Sequence, residues 1–153
     1  MDVSLYVTCL LELLTRITPI DSRAGGGHNV TQNRTYWPTR GGAIAFQPGW
    51  FRGHETAFAY INMGFGDDGP DGGPANMTLP MVPQFQILGP TNNPYPGTIC
   101  LPQVPLPKNT TVKAGDKATI QVVMLATHGA ALYSVCKGSK LGSSKAFKTN
   151  NVL

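Results

Sequence analysis

The residues of this chain that could do chemistry are few. They are three histidines (His28, His54 and His128), three cysteines (Cys9, Cys100 and Cys136) and eight acids. Neutral imidazole is a good ligand for Cu(II), which favours nitrogen donors in a tetragonal plane. A structural zinc site would need distant loops to converge, because neither H-x-H nor C-x-x-C spacing occurs. The Asp67-Asp68-Gly69-Pro70-Asp71-Gly72 segment looks like a calcium loop, but Gly69 stands where an oxygen ligand is required and Thr78 where the closing Glu belongs. It reads as a solvated acidic turn.

Hydrolytic chemistry finds no support, and no catalytic residue is assigned. Gly138-Ser139-Lys140-Leu141-Gly142 has its serine one place too early for a nucleophile elbow. Asp67, Asp68 and Asp71 share one loop, a poor frame for an opposed carboxylate pair. Trp37, Trp50 and Phe51 could make a flat carbohydrate platform, but beside Pro and Gly they read as core and corner residues.

Four N-x-[ST] triplets begin at Asn29, Asn33, Asn76 and Asn109, each among turn-forming residues. Together they point to a secreted glycoprotein. Cys100 and Cys136 could form a disulfide in an oxidising compartment, with Cα atoms within about 7 Å; Cys9 is left over, and spacing does not prove the pairing. The net charge of +4 invites a nucleic-acid reading. Its location argues otherwise, since Lys137, Lys140, Lys145 and Lys148 follow Cys136, and the remaining eight basic residues equal the eight acids. A basic tail with Gly-Ser-Ser spacing reads as a solvated terminus.

Positioning elements follow from pattern. Gly and Pro are abundant, charged residues scarce at 13%, and the chain is long enough for one buried core. Strands are expected at Ala43–Phe46, Thr56–Met63, Val82–Leu88, Ala118–Leu125 and Ala131–Val135. In the second of these, Phe58 and Tyr60 share one face, and Ala57, Ala59 and Ile61 the other. Pro80 and Pro83 confine the third to a sheet edge. The fourth should bury Ile120, Val122 and Met124 on one face, with Thr119, Gln121 and Val123 on the other. The sum is an all-β sandwich of six to eight strands. Val3–Leu14 reads as a short helix or signal-like segment, and no apolar run is long enough for a transmembrane helix.

Several blocks carry a resemblance. They are Asn33-Arg34-Thr35-Tyr36-Trp37-Pro38-Thr39-Arg40-Gly41-Gly42, the His54 run into Thr56–Asn62, Leu79–Ile87, Cys100-Leu101-Pro102, Ala118–Val123 and Ala131-Leu132-Tyr133. Over roughly residues 24–136 the chain resembles the fungal copper-acquisition-factor family, LPMO-like proteins of the cell surface. The resemblance implies an immunoglobulin-like or LPMO-like β-sandwich and non-catalytic copper binding for uptake or buffering. It also implies a glycolipid anchor at the plasma membrane and a copper transporter there as partner. The alternatives are a copper-dependent polysaccharide monooxygenase and a metal-free surface glycoprotein.

Residue by residue, the resemblance places the family's second histidine ligand at His54. The family's first ligand is an amino-terminal histidine, and it also has a late carboxylate near the metal; neither has a counterpart here, so the copper site is expected to be incomplete. His28 would serve only if processing cut after Gly27. His128, in the loop before Ala131, could be brought towards His54 by folding. The expected organisation is a signal-like or misassigned segment at 1–23, the copper-binding sandwich at 24–136 and a basic flexible tail at 137–153, with no anchor signal in the final residues.

Overall fold

A computed structural model describes residues 6–9, 35–46, 56–69, 73–88, 99–127, 129, 131–136 and 138–141. Among them are nine strands and no helix: β1 (Tyr6–Cys9), β2 (Thr35–Trp37), β3 (Gly42–Phe46), β4 (Thr56–Phe65), β5 (Leu79–Leu88), β6 (Ile99–Val104), β7 (Ala118–Ala126), β8 (Ala131–Cys136) and β9 (Gly138–Leu141). They form a four-stranded sheet in the order β5-β4-β7-β8, a three-stranded sheet β1-β3-β6 and a β2-β9 ribbon. The four-stranded sheet is antiparallel throughout, whereas β1 runs parallel to β3 and β2 parallel to β9.

Alternation builds the core. In β4 the small or aliphatic set Ala57, Ala59, Ile61 and Met63 is buried, while Phe58 is exposed and Tyr60 half-buried. That inward face meets Met81 and Ile87 of β5 and Ala118, Ile120, Val122 and Met124 of β7. Ile44, Phe46 and Val104 from the smaller sheet and Trp37 from the ribbon complete the same cluster. Two sheets enclosing one apolar layer make an all-β sandwich, as the pattern predicts.

β7 departs from a one-faced strand. Its even-numbered set lies in the core as expected, but Thr119, Gln121 and Val123 are also buried. The reason is position: β7 lies between β4 and β8, and β9 comes against it. A strand covered on both sides tolerates a nearly continuous apolar run, and Ala-Thr-Ile-Gln-Val-Val-Met-Leu-Ala is one. β5, by contrast, is an edge strand, which explains how Pro80 and Pro83 are accommodated within it.

Two expectations at the ends of the chain need correction. Residues 6–9 form a strand paired with β3, not a helix, consistent with the strand preference of Tyr6, Val7 and Thr8. Past residue 136, where a flexible tail was expected, residues 138–141 pair with β2 as β9.

The turn into β3 depends on Gly41. Its N–H donates to the Pro38 carbonyl at 3.0 Å, and its φ is 92°. A Cβ there would lie 2.4 Å from the Val104 carbonyl oxygen, so both the conformation and the close approach of β6 require glycine. Gly41→Ala is expected to lower stability by more than the roughly 1–2 kcal/mol of left-handed strain alone. Gly115→Ala, at φ 101° with nothing near its Cβ, should cost about that strain only. Denaturant unfolding of the two variants checks this. In the core, Ile61→Ala should cost about 2–5 kcal/mol, against about 0.5 kcal/mol or less for Leu88→Ala at its exposed position.

Candidate metal centre

The site is built from strand ends. β4 and β7 pair without a bulge from Ala57↔Ala126 to Phe65↔Ala118. The beginning of β4 and the end of β7 therefore share one end of the sheet. β5 ends there too, with Leu88 opposite Thr56, and β8 begins there, with Ala131 opposite Leu125. In sequence, His54 stands two residues before β4 and His128 two residues after β7. The described ends of both histidine-bearing segments thus arrive at one end of the sandwich.

His54, His28 and His128 themselves lie outside the described residues, as do Asn29 and Asn33. Among the described residues no group of three or more His, Cys, Asp or Glu converges as a metal would require. Of the described methionines, Met77 is partly buried in the loop between β4 and β5, away from this end. Met63, Met81 and Met124 are buried in the core cluster, where they act as packing.

The loop to β8 is shaped by its glycine. Gly129 donates its N–H to the Ala126 carbonyl at 3.0 Å and has φ 90°. This closes the turn that carries His128 in sequence. Around this end the sheet exposes apolar side chains on the outer face of β4. Phe58 is 46% exposed, its register partner Leu125 is 36% exposed, and Leu88 on the neighbouring edge is 76% exposed. Sequence patterning separated Phe58 and Tyr60 from Ala57, Ala59 and Ile61 without saying which face is outward, and gave no sign that Leu125 and Leu88 would be exposed with Phe58.

The opposite end is tied down differently. Gly66 donates its N–H to the Lys117 carbonyl at 2.9 Å, and the Lys117 ammonium pairs with the Asp67 carboxylate. The acidic turn is therefore partly engaged by a cation from the β7 entry, while Asp68 is exposed. Both members of the ion pair are nearly half exposed, so its contribution is at most about 1 kcal/mol.

Cys100 lies on β6 opposite Ala45 and is a free, exposed cysteine. Cys136 is on β8 of the other sheet, opposite Ile120. The two cysteines thus occupy different sheets, and the structure does not contain the Cys100–Cys136 bridge. Trp37 is buried in the core, as its setting beside Pro38 suggested, whereas Trp50 and Phe51 lie outside the described residues.

The family model for the copper acquisition factor BIM1-like domain matches residues 21–150. The chain belongs to that family. It is 70% identical over 109 residues to the lytic polysaccharide monooxygenase-like protein ham-7 of Neurospora crassa, an alignment covering 71% of this chain and 48% of that protein. It is 68% identical over 109 residues to the lytic polysaccharide monooxygenase-like protein X325 of Hypocrea jecorina, covering 71% of this chain and 47% of the relative. An X325 protein of Aspergillus fumigatus is 67% identical over the same length, covering 71% of this chain and 44% of its own. The aligned part of the chain spans less than half the length of these relatives. No solved structure matches it.

The geometry of the β7–β8 turn gives a stability test. Gly129→Ala should lose about 1–2 kcal/mol from the left-handed backbone, since no atom lies within 4 Å of the added Cβ. Gly129→Asn should recover part of that loss, because asparagine visits this region more readily. Thermal unfolding of the two variants measures it.

Proposed function

We propose that this chain binds copper at the end of the sandwich where β4 begins and β7 ends, and serves copper acquisition or buffering without catalysing a reaction. The observation that carries the reading is the unbroken β4–β7 register within a copper-acquisition-family domain. It brings the segments flanking His54 and His128 to one end. Imidazole nitrogen is the donor class that Cu(II) prefers. His54 is assigned as the principal ligand, with His128 and His28 as the remaining imidazole candidates. Copper, when bound, would be held as cargo.

The same reading places the protein outside the cell or at the cell surface, with a plasma-membrane copper transporter as the receiving partner. The four sequons support passage through the secretory route. No helix among the described residues is long and apolar enough to cross a membrane. The monooxygenase alternative takes its support from the relatives' names, which describe them as lytic polysaccharide monooxygenase-like.

Competition titration with Cu(II) tests the assignment. His54→Ala should weaken binding by at least about tenfold, since even groups that merely orient a metal ligand are worth about ten- to a hundredfold. Because imidazole must be neutral to coordinate, affinity should rise with pH and fall away below about pH 6.5 as the ring protonates. Unchanged affinity in His54→Ala would remove the residue from the site. Oligosaccharide release from a polysaccharide incubated with the copper-loaded protein and peroxide would contradict the non-catalytic reading.

A further inference from the structure

Two of the four sequons fall on described loops, and each loop joins β4 or β7 at the end of the sandwich away from β4's first residue. Asn76 is exposed in the loop between β4 and β5. Its backbone is held beside β4: a Cβ on Gly64 would lie 2.2 Å from the Asn76 carbonyl oxygen. Asn109 is exposed in the loop that enters β7 at Ala118, which pairs with Phe65, the last residue of β4. That loop is anchored on both sides, because Leu106 and Val112 pack against the core.

Both asparagines have the geometry that a bulky polar modification needs. Thr78 donates its hydroxyl hydrogen to the Asn76 Oδ1 at 2.9 Å, a hydrogen bond between the first and third residues of the same sequon. The carboxamide oxygen is thereby engaged while the residue stays exposed. Asn109 has φ 60°, a left-handed conformation that asparagine tolerates better than most residues. Its turn is fixed by the Thr110 hydroxyl donating to the Pro107 carbonyl at 2.6 Å. A sugar on either side chain would displace no core residue.

We propose that Asn76 and Asn109 carry N-linked glycans, and that these glycans leave the copper-binding end uncovered. The glycan assignment rests on the secretory part of the preceding reading, and the uncovered end rests also on its copper part. In the modification, the amide nitrogen of asparagine forms a bond to C1 of the first sugar of a lipid-pyrophosphate-linked oligosaccharide. The C1–O bond to the pyrophosphate breaks, its electron pair stays on the departing lipid pyrophosphate, and the amide gives up one proton. At about 3.3 Å of rise per residue, Gly64 beside Asn76 is roughly 25 Å along β4 from Thr56. Glycans at this end leave the exposed Phe58, Leu125 and Leu88 surface accessible.

The test is site mapping on the chain expressed in a fungal host and recovered from the secretory route. Peptide-N-glycosidase acting in heavy-oxygen water converts each glycosylated asparagine to a heavy-oxygen-labelled aspartate, which peptide mass spectrometry locates. Label at both Asn76 and Asn109 is the expected result. Thr78→Ala and Thr111→Ala, which break the sequons while leaving both asparagines in place, should each abolish label at their own site. An unlabelled Asn76 or Asn109, in secreted protein or in protein retained in the cell, overturns the proposal. Enzymatic removal of the sugars should change Cu(II) affinity by less than about twofold, well below the effect expected of a metal ligand or its neighbours. A larger change would overturn the claim that the glycans leave the copper-binding end uncovered. Chain that binds no copper but carries both labels would leave the glycan assignment standing and remove the copper reading together with the claim about its end.

Discussion

The antiparallel pairing of β4 with β7 is the constraint on which the rest of the molecule depends. Its register pairs run without interruption from Ala57↔Ala126 to Phe65↔Ala118. Because side chains alternate across a strand, a slip of one residue would exchange every inward position for an outward one. Ala59, Ile61 and Met63 would leave the core, and Phe58 and Tyr60 would enter it. Ala59, Ile61, Val122 and Met124 are all fully buried in the observed register, so hydrophobic burial alone specifies it strongly.

That one register also divides the sandwich into two unlike ends. At one, four strands begin or finish around the segments that lead to His54 and His128, with Phe58, Leu125 and Leu88 exposed nearby. At the other, the Gly66–Lys117 backbone hydrogen bond and the Asp67–Lys117 ion pair fasten two loops together, and the described sequons lie on those loops. The proposed copper end and the loops that carry the described sequons thus join the β4–β7 pair at opposite ends. Three of the described methionines, Met63, Met81 and Met124, spend their soft sulfur on core packing.

Much of this was legible in the amino-acid order, and the failures have physical causes. β4 and β7 announce themselves by alternation and β-branched runs, and Pro80 and Pro83 mark β5 as an edge. β6 was harder to see: Ile99-Cys100-Leu101-Pro102-Gln103-Val104 contains a proline, and its pairing with Phe46–Gly42 is long-range. β2 and β9 are too short to carry a period, and they form only by finding each other across the chain. β7's second buried face depends on its neighbours in the sheet, which local pattern does not encode. For the site, sequence resemblance named His54, but only the β4–β7 register shows that the strand ends leading to His54 and His128 meet at the same edge.

The most direct measurement is residue-by-residue amide NMR of the isotope-labelled chain during addition of Cu(II), whose unpaired electron broadens nearby signals. Copper at the proposed end should first erase the amides of Thr56, Ala57, Leu88, Leu125 and Ala126, and leave those of Phe65, Leu79 and Ala118 sharp. Broadening centred on Phe65 and Ala118, or on the Asn76 and Asn109 loops, would place the metal at the wrong end of the sandwich and contradict the account.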